Sequence, residues 1–137
     1  MAITNSCTGL AHSYDHPGPA FSFAHGNICG LMLPYTMKYV GVHPSYATIA
    51  RRLGYKGTDK ELTQALIDHL FGLMKKLNLK TCFKEFEIDR EEYMEAAKVW
   101  AEISLPAFAT VVSPAEMTAE KGVALYTECY DGTYPEV

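Results

Sequence analysis

The chain has 137 residues, and 12 Lys+Arg against 16 Asp+Glu give a formal net charge of −4. Its 48% hydrophobic and 20% charged residues are those of an ordinary soluble domain, long enough to bury roughly two-thirds of its unfolded surface but short for two domains. The acidity disfavours a nucleic-acid partner, no apolar run reaches the ~18 residues of a transmembrane helix, and Met1–Ser6 lacks a signal peptide's basic and apolar regions, so a cytoplasmic chain away from the membrane is expected.

In chain order, residues 1–26 are rich in His, Gly and Pro, and from Asn27 onward the chain reads as a string of helices. Asn27 to Val40 is apolar nearly all round and predicts a buried central helix, kinked or broken at Pro34. Pro44 suits the first turn of a short helix through Leu53, with Gly54 closing it. Thr58 and Glu61 form a capping box for a helix to Leu77, whose apolar stripe is Leu62, Leu66, Leu70, Leu73 and Leu77. Residues 79–88 read as an irregular connection anchored by Phe83 and Phe86. Asp89 and Glu92 start a helix to about Ile103.

Residues 106–114 read as a loop, with a short strand at 108–112 as the weaker alternative. Thr118 caps a last helix to about Tyr130, closed by Asp131-Gly132, and the tail 133–137 is expected to fray. The whole, residues 1–137, reads as a single all-α helical bundle. Cys7, Cys29, Cys82 and Cys129 are scattered and form no C-x-x-C pair, so they read as reduced thiols, mostly packed as small hydrophobes.

Three of the five histidines, His12, His16 and His25, lie close together in the sequence. On a helix, His12 and His16 share a face and can share one transition metal. Pro17-Gly18-Pro19 then ends the helix and turns the chain, so that His25 returns to the same pocket. Asp15 suits a ligand, an acceptor for an imidazole N–H, or a helix-end carboxylate. His43 precedes a proline in a loop, and His69 falls on the edge of the long helix.

The run Gly9-Leu10-Ala11-His12-Ser13-Tyr14-Asp15-His16-Pro17-Gly18-Pro19, the later His25-Gly26, and Leu31-Met32-Leu33-Pro34 together resemble the iron-containing (group III) alcohol dehydrogenases. The family pattern there is roughly G-L-x-H-x-x-x-H-x-x-G, a short run, H-G, and a buried helix with L-L-P. Tyr46-Ala47, Ile49-Ala50 and Leu53-Gly54 also resemble the family, as does Met117-Thr118 before the last helix.

The resemblance implies the C-terminal, all-helical metal domain of that family, without the N-terminal dinucleotide-binding domain. It matches His12 and His25 to two ligands of a divalent metal (Fe2+ or Zn2+), and His16 to the histidine beside substrate and nicotinamide that handles the hydroxyl proton. Bare helical spacing would instead pair His12 with His16. The sequence departs from the pattern in a shorter run before His25, in Ala24 where proline is usual, and in having no counterpart of the family's Asp-x-x-x-His ligands or of a Gly-rich phosphate-binding turn.

The expected function is therefore a truncated or stand-alone metal-binding domain of an NAD(P)-dependent alcohol or aldehyde oxidoreductase, inactive alone and not binding NAD(P) by itself. The alternatives are half of a split enzyme, completed by a partner chain with the N-terminal half, or a non-catalytic helical interaction module. Apolar surface left bare by a missing half favours a homo-oligomer.

Overall fold

The computed structural model describes residues 8–137; Cys7 and the Met1–Ser6 segment lie outside the described residues. The described residues form α1 (Leu10–Ser13), α2 (Pro17–Ala20), α3 (His25–Val40), α4 (Pro44–Arg52), α5 (Asp59–Lys76), a 3-10 turn (Phe83–Phe86), α6 (Arg90–Ser104), α7 (Phe108–Val111) and α8 (Ala119–Asp131). They contain no strand, so the fold is an all-α bundle. No helix among them is long and apolar enough to cross a membrane.

Helix boundaries are set by local chemistry. Thr58 accepts from Glu61 N while the Glu61 carboxylate takes Thr58 N, completing the capping box of α5. Asp89 caps α6 through Glu92 N, and Thr118 caps α8 through Lys121 N. His43 caps α4 by accepting from Ser45 N, with Pro44 filling the first helical position. Gly132 ends α8 at φ +76, the left-handed conformation that glycine adopts without steric cost.

The core is aromatic. Tyr14, Tyr35, Phe83, Tyr93 and Tyr126 are each at most 1% exposed. Tyr93 sits edge-on to Trp100, with ring centroids 5.5 Å apart, and Trp100 in turn meets Tyr126. α6 packs along α8, α4 along α5, and α3 lies across the middle with α1 on it. The α6–α8 crossing is close because Gly122 faces Ala101; a Cβ on Gly122 would stand 2.8 Å from the Ala101 Cβ.

Several expectations need correction. α1 ends at Ser13, so His12 and His16 do not share a helix, and Pro17 opens α2 instead of terminating a helix. Pro34 does not break α3, which runs unbroken to Val40 and begins at His25, two residues earlier than expected. The buried stripe of α5 drifts to Phe71 and Met74 in its second half, leaving Leu73 and Leu77 exposed. Residues 108–111 are a helical turn, neither loop nor strand. The tail is docked: Gln64 Nε2 donates to Pro135 O, Gln64 Oε1 accepts from Val137 N, and Tyr134 OH donates to Asp68.

Candidate metal centre

α1 presents His12 and α3 opens with His25, so the junction between them carries the site. Two buried hydrogen bonds fix the chain there. Ser104 Oγ on α6 donates to Ser13 O (2.9 Å), and Tyr126 OH on α8 donates to Tyr14 O (3.1 Å). Both bonds tie the backbone just before Asp15 to the core. Gly18 N then donates to Asp15 O (2.8 Å), turning the chain into α2.

The result brings His12 and His25 together, with ring centroids 4.8 Å apart and planes at 89°. Asp15 joins them: its Oδ2 meets His25 Nδ1 in a hydrogen bond, with the carboxylate mostly buried and the imidazole exposed. Of the three roles open to Asp15 in the sequence, this contact matches that of imidazole acceptor. Cys29, one turn along α3 from His25, completes the group. Its Sγ lies 3.6 Å from His25 Nε2, 3.9 Å from Asp15 Oδ2 and 4.0 Å from His12 Nδ1.

These four residues offer one donor atom each, all within 4.8 Å of one another. Two imidazoles, a carboxylate and a thiol are the donor types that divalent transition metals take. The residues present therefore fit a metal ion. The group opens into a cleft of about 590 Å³, lined also by Leu33, Tyr46 and Val112. A second groove of about 570 Å³, between α5 and the tail, contains neither His nor Cys.

His16 stands apart from this group, half-buried at the N-terminus of α2. Burial lowers its pKa, against an opposing pull from Asp15, which favours a neutral imidazole at pH 7. A neutral imidazole both donates and accepts a proton. Burial and the neighbouring Asp15 push the Cys29 thiol up to about 11. Cys29 is thus a neutral thiol at pH 7 in the metal-free protein, not a reactive thiolate.

Cys29 departs from the expectation that the cysteines are mostly packed as small hydrophobes. Cys82 and Cys129 are indeed buried, but Cys29 is half-exposed in the cleft. The signal was available as the four-residue spacing His25–Cys29 at the start of a helix. His43 and His69 lie outside the site: the first caps α4 and the second bonds the Tyr55 hydroxyl (3.0 Å).

Residues 1–130 match the model of the Fe-containing alcohol dehydrogenase family, C-terminal part. An NADPH-dependent butanol dehydrogenase of Clostridium saccharobutylicum is 28% identical, over 97% of this chain and 35% of that protein. An aldehyde-alcohol dehydrogenase of Streptococcus pneumoniae serotype 2 (strain D39) is 27% identical, over 84% of this chain and 15% of that protein. The chain thus spans about a third or less of the length of these relatives. Two solved structures share the fold over 94% of this chain and 34% of theirs. They are a 1,3-propanediol oxidoreductase (TM-score 0.83, 16% identity) and an alcohol dehydrogenase from Oenococcus oeni (TM-score 0.82, 24% identity). The match over nearly the whole chain, on a helical fold that gathers His12 and His25 in one cleft, means that the chain belongs to the Fe-containing alcohol dehydrogenase family, to its C-terminal helical part.

Proposed function

We propose that these residues are a single helical domain that holds the catalytic metal of an NAD(P)-dependent alcohol or aldehyde oxidoreductase. The observation that supports this reading is the meeting of the His12 and His25 rings in a chain of this family. In it, His12 and His25 are ligands, and Asp15 orients the His25 ring by accepting from Nδ1. A divalent metal, iron or zinc, supplies Lewis-acid polarisation of an alcohol or aldehyde oxygen.

The chain's own residues supply the rest of what this half contributes. The family resemblance gives the handling of the hydroxyl proton to His16, a neutral imidazole next in sequence to Asp15 that lies outside the cleft lining. Leu33, Tyr46 and Val112 give the cleft apolar walls against which a small substrate can rest. Hydride transfer needs a nicotinamide held against that substrate, and the described residues contain no strand on which a dinucleotide fold is built. The domain therefore works with a dinucleotide-binding half, on the same chain or on a partner, and turns over no substrate alone.

The surface fits such a partner. Phe108 and Val111 on α7 are each 68% exposed, and Val112, which lines the cleft, is 52% exposed. Leu33 is also exposed. Apolar side chains gathered in this way mark an interface. A dinucleotide half, or failing that a second copy of this chain, would cover them. The test is complementation: the domain alone should leave NADPH unoxidised with small aldehydes, and mixing it with a family dinucleotide half should restore turnover. Turnover by the domain alone would overturn this reading.

A further inference from the structure

We propose that the Cys29 thiolate is itself a metal ligand, so that this chain carries a three-ligand His12–His25–Cys29 centre that takes zinc in preference to iron. The inference rests on the reading of this cleft as a metal site and names its third ligand and its metal.

The geometry supports it. A zinc ion bound at about 2.3 Å to sulfur and about 2.05 Å to nitrogen, at tetrahedral angles, holds those two donors about 3.6 Å apart. Cys29 Sγ stands 3.6 Å from His25 Nε2, 3.7 Å from His25 Nδ1 and 4.0 Å from His12 Nδ1, beside the His25 ring. Rotation of the exposed His12 and His25 side chains would bring their ring nitrogens onto an ion held at Cys29. His25 and Cys29 are one turn apart on α3, a rigid helix, so their relative placement is set by the backbone. Asp15 takes His25 Nδ1, which leaves Nε2 for the metal; this is the carboxylate–histidine–metal arrangement that fixes an imidazole's orientation.

The donor chemistry selects the metal. Thiolate is a soft ligand that favours zinc over iron in a mononuclear site with imidazoles, whereas carboxylate- and imidazole-only sites suit iron. Three protein ligands is the number that catalytic zinc sites hold, with the fourth position left to water or substrate. Binding releases the Cys29 proton to solvent, so the ion replaces a proton on sulfur.

The test uses the purified full chain, stripped of metal and loaded with cobalt(II), which reports sulfur ligation by a thiolate-to-cobalt charge-transfer band in the near ultraviolet. The wild type and Cys82→Ser should show the band, while Cys29→Ser should lose it. Zinc affinity should fall at least about tenfold in Cys29→Ser, with its helical circular dichroism unchanged. Cobalt bound without the band, or a band that survives Cys29→Ser, overturns the thiolate ligand and leaves the histidine site standing. Failure of the wild type to bind either cobalt or zinc overturns both.

Discussion

Gly122→Ala tests whether the close crossing of α6 and α8 positions the site. The added Cβ would lie 2.8 Å from the Ala101 Cβ and 3.1 Å from its Cα. Carbon atoms pack best at about 3.5–4.0 Å, so the new methyl sits about 0.7 Å too close, and one of the atoms it meets is backbone. Neither helix relieves this by turning a side chain. Overpacking of this kind costs about 1–3 kcal/mol, while replacing a helical glycine by alanine returns about 1 kcal/mol. The expected net loss is about 1 kcal/mol, or about 4 °C in Tm for a chain of this size.

The same methyl would stand 3.4 Å from Tyr14 Cε1, next to Asp15, so metal retention should weaken along with stability. Gly72→Ala is the control. It lies within α5 with nothing within 4 Å of its would-be Cβ, so it should gain up to about 1 kcal/mol from helix propensity alone. Thermal and denaturant unfolding of both variants checks this. The packing argument fails if Gly122→Ala is as stable as Gly72→Ala.

Two further outcomes concern single groups. Tyr14 OH is buried and has no hydrogen-bond partner among the described residues, so Tyr14→Phe should leave stability unchanged or raise it by about 1 kcal/mol, and a clear loss in denaturant midpoint would contradict this. Glu61 has a lowered pKa because Thr58 N and then Thr58 Oγ bond its carboxylate. A depressed folded pKa gives stability that is present above the ordinary carboxylate range and lost as pH falls through the folded value. The stability advantage of wild type over Glu61→Gln should therefore shrink on acidification below about pH 4, and an advantage that grows there would refute the cap assignment.

Much of the fold was legible because its helix starts are chemical. Thr58–Glu61, Asp89–Glu92 and Thr118 each satisfy first-turn N–H groups locally, Pro44 fills a first helical position that needs no donor, and those boundaries stand within a residue or two. The features the sequence hid are set by tertiary packing. Leu73 and Leu77 sit at helical spacing with Leu62, yet the helices covering α5 shift its buried face to Phe71 and Met74. The tail looked free because nothing local holds it, and it is held by Gln64 and Asp68 from distant α5.

The site shows the same division. The resemblance matches His12 and His25 to ligands and the structure brings their rings together, whereas helical spacing pairs His12 with His16 across a helix that ends at Ser13. The bonds from Ser104 and Tyr126 that hold this junction come from α6 and α8, far away in sequence. Asp15 and Cys29 enter the site only once α1 folds against α3.

The most direct test of the account is metal content. Wild-type chain, His12→Ala, His25→Ala and the control His43→Ala should be purified alike, exposed to zinc and iron(II), desalted and assayed by elemental analysis. The account predicts about one divalent ion per chain in the wild type and in His43→Ala, and loss of it in His12→Ala and His25→Ala, with helical content unchanged. A wild type that retains no metal, or a His12→Ala that retains as much as the wild type, would contradict it.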